Sequence, residues 1–347
     1  MICSSGEAPH DSLDRAVALA LQGRALDAPA LAAVLACCAA GNAQGGAAEV
    51  PRLLAGARAV RERHAGRRLE FCAIVNAKSG ACSEDCAFCA QSSRHRTQSP
   101  RHPFLEPAEI VRAASAMQAR GATRFGIVAS GLAPTEAEFR ALCEAVTLVR
   151  AAGLAPDVSV GLLTRERLRR LKAAGLSGVH HNLEVARSFF PRVCTTHSYE
   201  EDVEAVRLAL EEGLFVCSGG IFGLGESWEQ RAELAATLRE LGVRHVPVNF
   251  LVPIAGTRMA DRAPLGPSEA LRILALLRLM LPEAALRVCG GRGLVFGAAG
   301  GEGQRELFDS GASGIMIGDY LTVAGTPPEA DLALAEALGL AVAGQGG

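Results

Sequence analysis

Cys82, Cys86 and Cys89 are crowded into the stretch Ala81-Cys82-Ser83-Glu84-Asp85-Cys86-Ala87-Phe88-Cys89-Ala90-Gln91-Ser92. Cysteine is often buried as a small hydrophobe, but Ser83, Glu84 and Asp85 make this a polar loop rather than a core. A disulfide would use only two of the three thiols. Iron–sulfur clusters take cysteine thiolates as ligands. Zinc sites more often match a CxxC pair with a second pair far away, and no second pair exists. A zinc site or a purely structural cluster loop is the alternative that the spacing alone leaves open. Three thiolates on a four-iron cluster leave one iron free to bind a small molecule through nitrogen and oxygen.

The whole chain narrows the setting. Its 347 residues suffice for one large domain or two small ones. The formal net charge is −2 and no basic stripe stands out, so no nucleic-acid partner is expected. No apolar run reaches the length of a membrane span, so no membrane partner is expected either. The opening Met1-Ile2-Cys3-Ser4-Ser5-Gly6-Glu7 does not read as a signal peptide. Eleven cysteines, an odd number with three crowded together, fit a reducing compartment and metal binding better than a disulfide framework. The expected location is the cytoplasm.

The elements that must position the loop follow from periodicity. Residues 10–65 read as helices, punctuated at Gly41–Gly46, with Cys37 and Cys38 as small core residues. From residue 70, short β-type runs alternate with amphipathic helices. Strands are expected near 71–76, 123–128, 155–161, 177–183, 214–219, 243–250, 285–290 and 313–317. Helices are expected near 107–120, 136–152, 164–174, 199–212, 227–241, 267–281 and 302–310. Eight strands with intervening helices predict an α/β fold, a (β/α)8 TIM-type barrel with extra N-terminal helices. An open doubly wound sheet is the alternative. The expected division is a helical segment at 1–65 and a barrel with a C-terminal extension at 66–347. Function in a barrel sits on loops at the C-terminal ends of strands, and the cysteine loop directly follows the first strand.

The CxxxCxxC spacing, with Phe88 just before the last cysteine, resembles the cluster loop of radical S-adenosylmethionine (SAM) enzymes. That resemblance implies a 4Fe–4S cluster whose open iron chelates SAM, which an electron then cleaves to methionine and a 5′-deoxyadenosyl radical. Further motifs are similar to the biotin synthase family over roughly residues 70–340. They are Asn76-Ala77-Lys78-Ser79-Gly80, His181-Asn182-Leu183-Glu184, Thr195-Thr196 with Tyr199, and Cys217-Ser218-Gly219-Gly220-Ile221 with Gly223-Leu224-Gly225-Glu226. Pro247-Val248-Asn249-Phe250-Leu251 with Gly256-Thr257, Gly290-Gly291-Arg292, and the tail Gly318-Asp319-Tyr320-Leu321-Thr322 continue the match. The resemblance implies sulfur insertion into dethiobiotin, with the sulfur held as an auxiliary iron–sulfur cluster. It also implies a flavodoxin- or ferredoxin-type electron donor, a sulfur or cluster repair system, and a homodimer.

Carried over residue by residue, the resemblance makes Cys82, Cys86 and Cys89 the SAM-cluster ligands. Phe88 and Ile221 would lie by the adenine, and Ala129, Ser130 and Gly131 would meet the methionine moiety. Gly223 and Leu224 belong to the cofactor-binding turn, and Glu184 would accept from the ribose hydroxyls. Asn182, which would also touch the cofactor, and Asn249 are the expected amides for the ureido ring, because a primary amide both donates and accepts. The departures concern the auxiliary site. Commonly described members hold a 2Fe–2S cluster with three barrel cysteines and one Arg. Cys217 and Arg287 match two of those positions, but the others read Gly126 and Asp157. The chain thus resembles a variant branch with a different, four-iron auxiliary cluster. Cys72, Cys194 and Cys217 are its expected ligands, with Cys289 in reserve because it shares a strand face with Arg287. Asp202 stands where common members carry an Arg that meets the SAM carboxylate. Two other classes compete: a hydrogenase maturase-like or amino-acid mutase-like radical SAM enzyme, and a non-enzymatic iron–sulfur carrier or sensor.

Overall fold

The computed structural model describes residues 9–41, 48–297, 302–321 and 325–342. The opening residues, most of the Gly41–Gly46 turn, and Thr322 lie outside them. Three helices come first: α1 (Pro9–Leu21), α2 (Ala28–Ala40) and α3 (Glu49–Ala65). Alternation then begins with β1 (Arg68–Lys78), α4 (Pro107–Gln118), β2 (Arg124–Ala129), α5 (Glu136–Ala151), β3 (Ala155–Ser159) and α6 (Arg165–Ala173). It continues through β4 (Gly178–His180), α7 (Tyr199–Glu211), β5 (Phe215–Cys217), β6 (Gly220–Phe222), α8 (Trp228–Glu240) and β7 (His245–Phe250). The last elements are α9 (Pro267–Met280), β8 (Ala285–Val288), α10 (Arg292–Phe296), α11 (Glu302–Asp309), β9 (Gly314–Met316), α12 (Pro328–Ala337) and β10 (Ala341–Val342).

All the barrel pairings are parallel, and β1 pairs with both β2 and β9, which closes the sheet into the expected (β/α)8 barrel. The fifth expected strand is split. Gly219, where a Cβ would fall 2.1 Å from the Pro247 carbonyl oxygen, lies between its halves, and β6 resumes as a separate pairing with β7. Several strands end earlier than alternation predicts, since their last residues turn out to form the site. The helices start where capping chemistry places them: Thr135 with Glu138, Ser198 with Glu201 and Ser227 with Gln230 each form a capping box.

Alternation sorts each strand into two faces. On β2, Phe125 and Ile127 are buried in the hydrophobic core, while Val128 faces the interior cavity. The amino-terminal helices cover α9, whose apolar residues are buried on nearly all sides; a helix apolar all round needs such cover. Cys38 is fully buried there, 3.7 Å from the Arg272 carbonyl oxygen, and Cys37 is nearly so. The short strand β10 extends β1 at its start, pairing Arg68 with Ala341 and Leu69 with Val342.

Candidate active site

Positive φ at Gly80 (76°) and Ala81 (52°) turns the chain out of β1 and over the C-terminal mouth of the barrel. The cysteine loop that follows is held from both sides. The Cys82 N–H donates to the Gln91 carbonyl (3.1 Å), and the Ser93 N–H donates to the Cys82 carbonyl (2.8 Å). Asp85 accepts from the Thr195 N–H (2.8 Å) and hydroxyl (2.6 Å). Although burial pushes Asp85 upward, these Thr195 bonds hold its carboxyl well below the usual range. Glu84 accepts from Thr196 Oγ1 (2.6 Å) and His197 Nδ1 (2.8 Å). The loop is therefore docked on the segment that follows β4.

Cys82, Cys86 and Cys89 all face one cavity of about 300 Å³ that runs down the barrel interior. Its upper wall includes Phe88, Ala129, Ser130, Gly131, Asn182, Glu184, Ile221 and Asn249. Gly223 and Leu224 do not line it. Leu224 is buried in the core, and the Gly223 N–H donates to Glu226, which pairs with Arg231 at 2.8 Å. That turn shapes the mouth from behind. Ser130 donates its hydroxyl proton to the Gly80 carbonyl (2.7 Å), locking the turn after β2 against the cysteine loop.

The two asparagines bind the barrel wall and still present polar atoms. Asn249 Nδ2 donates to the Gly220 carbonyl (3.2 Å), and its Oδ1 accepts from the Gly290 N–H (2.9 Å). One N–H and one lone pair remain, because a primary amide carries two of each. Asn182 Oδ1 accepts from the Gly219 N–H (3.2 Å), while its Nδ2 donates to Glu184 (3.4 Å). Glu184 sits at positive φ (61°). Burial, then the nearby Asp202 charge, pushes its carboxyl up to about 8.

The lower wall carries Cys72, Cys217, Cys289 and Arg287. Cys289 Sγ lies 3.5 Å from the Arg287 carbonyl oxygen, and the neighbouring Cys289 thiol, with Arg287 nearby, shifts Cys72 downward while Cys289 is pushed upward. Burial pushes Cys217 up to about 12. Arg287 Nη1 lies 3.8 Å from Cys217 Sγ, and its Nη2 pairs with Glu70 and approaches His245 Nδ1 (3.3 Å). Arg287 Nε is buried without a partner. Cys194 is not on this wall. It lies 3.9 Å from Cys86 Sγ and 3.3 Å from His197 Nδ1, against the upper cysteine loop. Gly126 and Asp157 pair in register, and the Asp157 carboxylate is engaged by Arg124 Nε (2.8 Å) and His180 (3.3 Å).

Sequence reading missed several lining residues. His181 Nε2 donates to Asp202 (2.8 Å), and His197 Nε2 reaches the same carboxylate (3.3 Å). Asp202, then Cys194, lifts His197 to about 11. Tyr320 also enters the cavity, and Gly290 is small because a Cβ there would fall 2.7 Å from the Tyr320 ring. The histidines flank the quoted motifs, yet spacing does not reveal a shared partner in Asp202.

The donor set fits the groups this fold is built to hold. Three thiols without disulfides converge at the mouth, and Arg287, whose Nε has no partner, lines the same cavity as three more below. Thiolates are the metal-binding form, so loading must release their protons.

A parallel barrel with a three-cysteine loop after its first strand is the arrangement of a radical SAM enzyme, and residues 77–246 match the model of the Radical SAM superfamily. Residues 247–341 match the Biotin and Thiamin Synthesis associated domain. A biotin synthase from Nitratidesulfovibrio vulgaris (strain Miyazaki F) is 49% identical over 304 residues, covering 85% of this chain and 82% of that protein. The chain belongs to the biotin synthase family. In solved structures, methylornithine synthase PylB shares the fold with a TM-score of 0.80 at 19% identity, covering 94% of this chain and 97% of that one. The FeFe-hydrogenase maturase HydG from Carboxydothermus hydrogenoformans does so at 0.77 and 19%, covering 96% and 80%. At that identity they support the fold alone. The reaction class is radical SAM sulfur insertion that forms biotin. Among the described residues no helix is long and apolar enough to cross a membrane.

Proposed function

We propose that dethiobiotin is bound between the upper and lower walls of the barrel cavity and that its sulfur comes from an auxiliary iron–sulfur cluster held by Cys72, Cys217 and Cys289 beside Arg287. The observation that carries this reading is the single cavity shared by two sets of cysteines. The orphaned Arg287 Nε supports it, since a buried N–H without a partner is rare unless a ligand completes it. The earlier ligand set is revised at one residue: Cys194 is read as a neighbour of the SAM cluster, because its nearest thiol is Cys86.

Cys82, Cys86 and Cys89 would hold a 4Fe–4S cluster that, with SAM, would supply the radical needed to break an unactivated C–H bond, which no side-chain acid or base can do. The chain's own residues position and shield. Phe88 and Ile221 offer apolar faces for adenine. Ser130 holds the Ala129–Gly131 turn at the methionine end. Glu184 accepts from ribose hydroxyls, and its desolvated carboxyl is poised to pair with donors that enter. The free N–H and lone pair of Asn249 meet the ureido group, which offers the complementary pair. Asn182 braces both Glu184 and the Gly219 turn. The same reading calls for a flavodoxin- or ferredoxin-type electron donor, a sulfur or cluster repair system, a homodimer and a cytoplasmic setting.

The test is anaerobic reconstitution with iron and sulfide, followed by SAM, dethiobiotin and a reductant, with biotin and 5′-deoxyadenosine measured together. Mössbauer spectra of a Cys82→Ala/Cys86→Ala/Cys89→Ala variant isolate whatever cluster remains. Biotin formation by the wild-type protein together with no residual iron in the triple variant would remove the auxiliary cluster from the reading.

A further inference from the structure

The barrel has a second opening. At the N-terminal ends of the strands, opposite the cysteine loop, lies a cavity of about 320 Å³ lined by Arg68, Glu70, Arg244, His245, Arg278 and Glu283, among others. Its charges do not cancel locally. Glu283 is paired to Arg244 (2.7 Å), and Glu70 is paired inward to Arg287. The Arg68 guanidinium has no hydrogen-bond or ion-pair partner among the described residues. Arg278 is fully buried and is bonded to backbone carbonyls and the Ser313 hydroxyl, with no carboxylate. One exposed guanidinium, Arg68, thus faces a concave space that also feels the uncompensated charge of buried Arg278, which favours a small anion.

The inner wall of this vestibule is also the floor of the active-site cavity. Glu70 and His245 line the vestibule, and both touch Arg287, which lines the active-site cavity. Arg287 in turn meets Cys217, and Cys72 stands two residues beyond Glu70 on the same face of β1. One layer of side chains separates a cationic pocket from three cysteines.

Resting on the auxiliary-cluster reading above, we propose that this vestibule binds hydrosulfide, HS⁻, and is the route by which sulfur returns to the lower cysteines. SAM and dethiobiotin would fill the upper mouth, so a replacement sulfur atom that enters below need not wait for them to leave. Arg68 collects the anion above the buried charge of Arg278, and the Arg287–Glu70 pair, which can exchange Glu70 for the incoming anion, forms the gate. The step is binding and ligand exchange: HS⁻ takes a sulfide position and its proton passes to solvent water, or leaves with the displaced sulfide as HS⁻ where label replaces a sulfide already present, and no electron is transferred.

The test uses the Cys82→Ala/Cys86→Ala/Cys89→Ala protein reconstituted with iron and sulfide, so that any remaining cluster is the lower one. ³⁴S-labelled hydrosulfide is added, and the label in acid-labile sulfide is followed with time. Arg68→Glu should slow uptake about tenfold, in line with the change in local ion concentration that a reversed lining charge produces. Glu283→Gln, which removes a competing negative charge, should speed it. Both side chains are exposed enough for the variants to fold, and iron content checks that they do. Crystals of the same proteins soaked in bromide should show an anomalous peak beside Arg68 that Arg68→Glu abolishes. Unchanged uptake rates in both variants, with iron retained, would overturn the route, and a bromide peak beside unchanged rates would be an adventitious ion only. Loss of all iron from the triple variant is a different failure: it removes the auxiliary-cluster reading and the route's destination with it.

Discussion

Arg287 Nη1 lies 3.8 Å from Cys217 Sγ, yet the Nε of the same guanidinium is buried without a hydrogen-bond partner. An unmet donor of this kind costs on the order of 1–3 kcal/mol. A bound group at the lower cysteines would remove that penalty. Loading the auxiliary cluster should therefore stabilise the wild-type chain more than Arg287→Met, by about 1–3 kcal/mol. Denaturant unfolding of apo and reconstituted protein, both with Cys82, Cys86 and Cys89 replaced by Ala, measures the difference. Equal stabilisation in both would show that Arg287 does not contact the group.

Replacing Cys82, Cys86 or Cys89 singly with Ser should abolish reductive SAM cleavage, since a hydroxyl is a far poorer iron ligand here than a thiolate. Chromatography of 5′-deoxyadenosine after adding reductant checks this. A variant that keeps the wild-type rate of 5′-deoxyadenosine formation would exclude that cysteine.

Cys72→Ala, Cys217→Ala and Cys289→Ala should each retain SAM cleavage while losing auxiliary iron and biotin formation. Cys194→Ala should behave differently, retaining auxiliary iron and perturbing the reduction potential of the upper cluster through its contact with Cys86. Iron analysis and an EPR-monitored redox titration separate the two patterns. Loss of auxiliary iron in Cys194→Ala would return it to the ligand set.

Asn249→Ala should weaken dethiobiotin binding about tenfold and also lower stability. Its side chain holds the Gly220 carbonyl and the Gly290 N–H, and each lost buried hydrogen bond costs on the order of 1–3 kcal/mol. SAM affinity measured without dethiobiotin should change less. Dethiobiotin titrations at a temperature where the variant is fully folded decide between a ligand contact and a purely structural role.

His197 sets a pH dependence whose sign follows from its surroundings. Asp202, then Cys194 and Glu84, raise it to about 11, from an ordinary value of 6.5. A raised pKa means that its stabilising contribution is complete below about 6.5 and is lost as pH rises toward 11. The stability gap between wild type and His197→Gln should therefore be largest at or below about pH 6.5 and shrink steadily as pH rises toward about 11. Melting temperatures of the apo proteins across that range test it; a gap that widened with pH would contradict the assignment.

Much of this molecule was legible from local pattern. The spacing of Cys82, Cys86 and Cys89 is a property of eight consecutive residues, and the loop chemistry needs nothing remote. Alternation along β1 and β8 put Cys72, Arg287 and Cys289 on interior faces, because successive side chains in a strand point to opposite sides. The helices began at Thr135, Ser198 and Ser227 because capping is also local. What only the tertiary structure decided is which distant residues meet. Cys194 follows β4 in sequence, but the docking of Asp85 and Glu84 on Thr195, Thr196 and His197 carries it to Cys86. Asp157 occupies a ligand position in the sequence, but Arg124 and His180 engage its carboxylate. Asp202, which sequence reading could only mark as a missing Arg, becomes the shared acceptor of His181 and His197. Each of these outcomes depends on competition among several buried partners for one charge, and that competition is settled by distances that exist only after the barrel has closed.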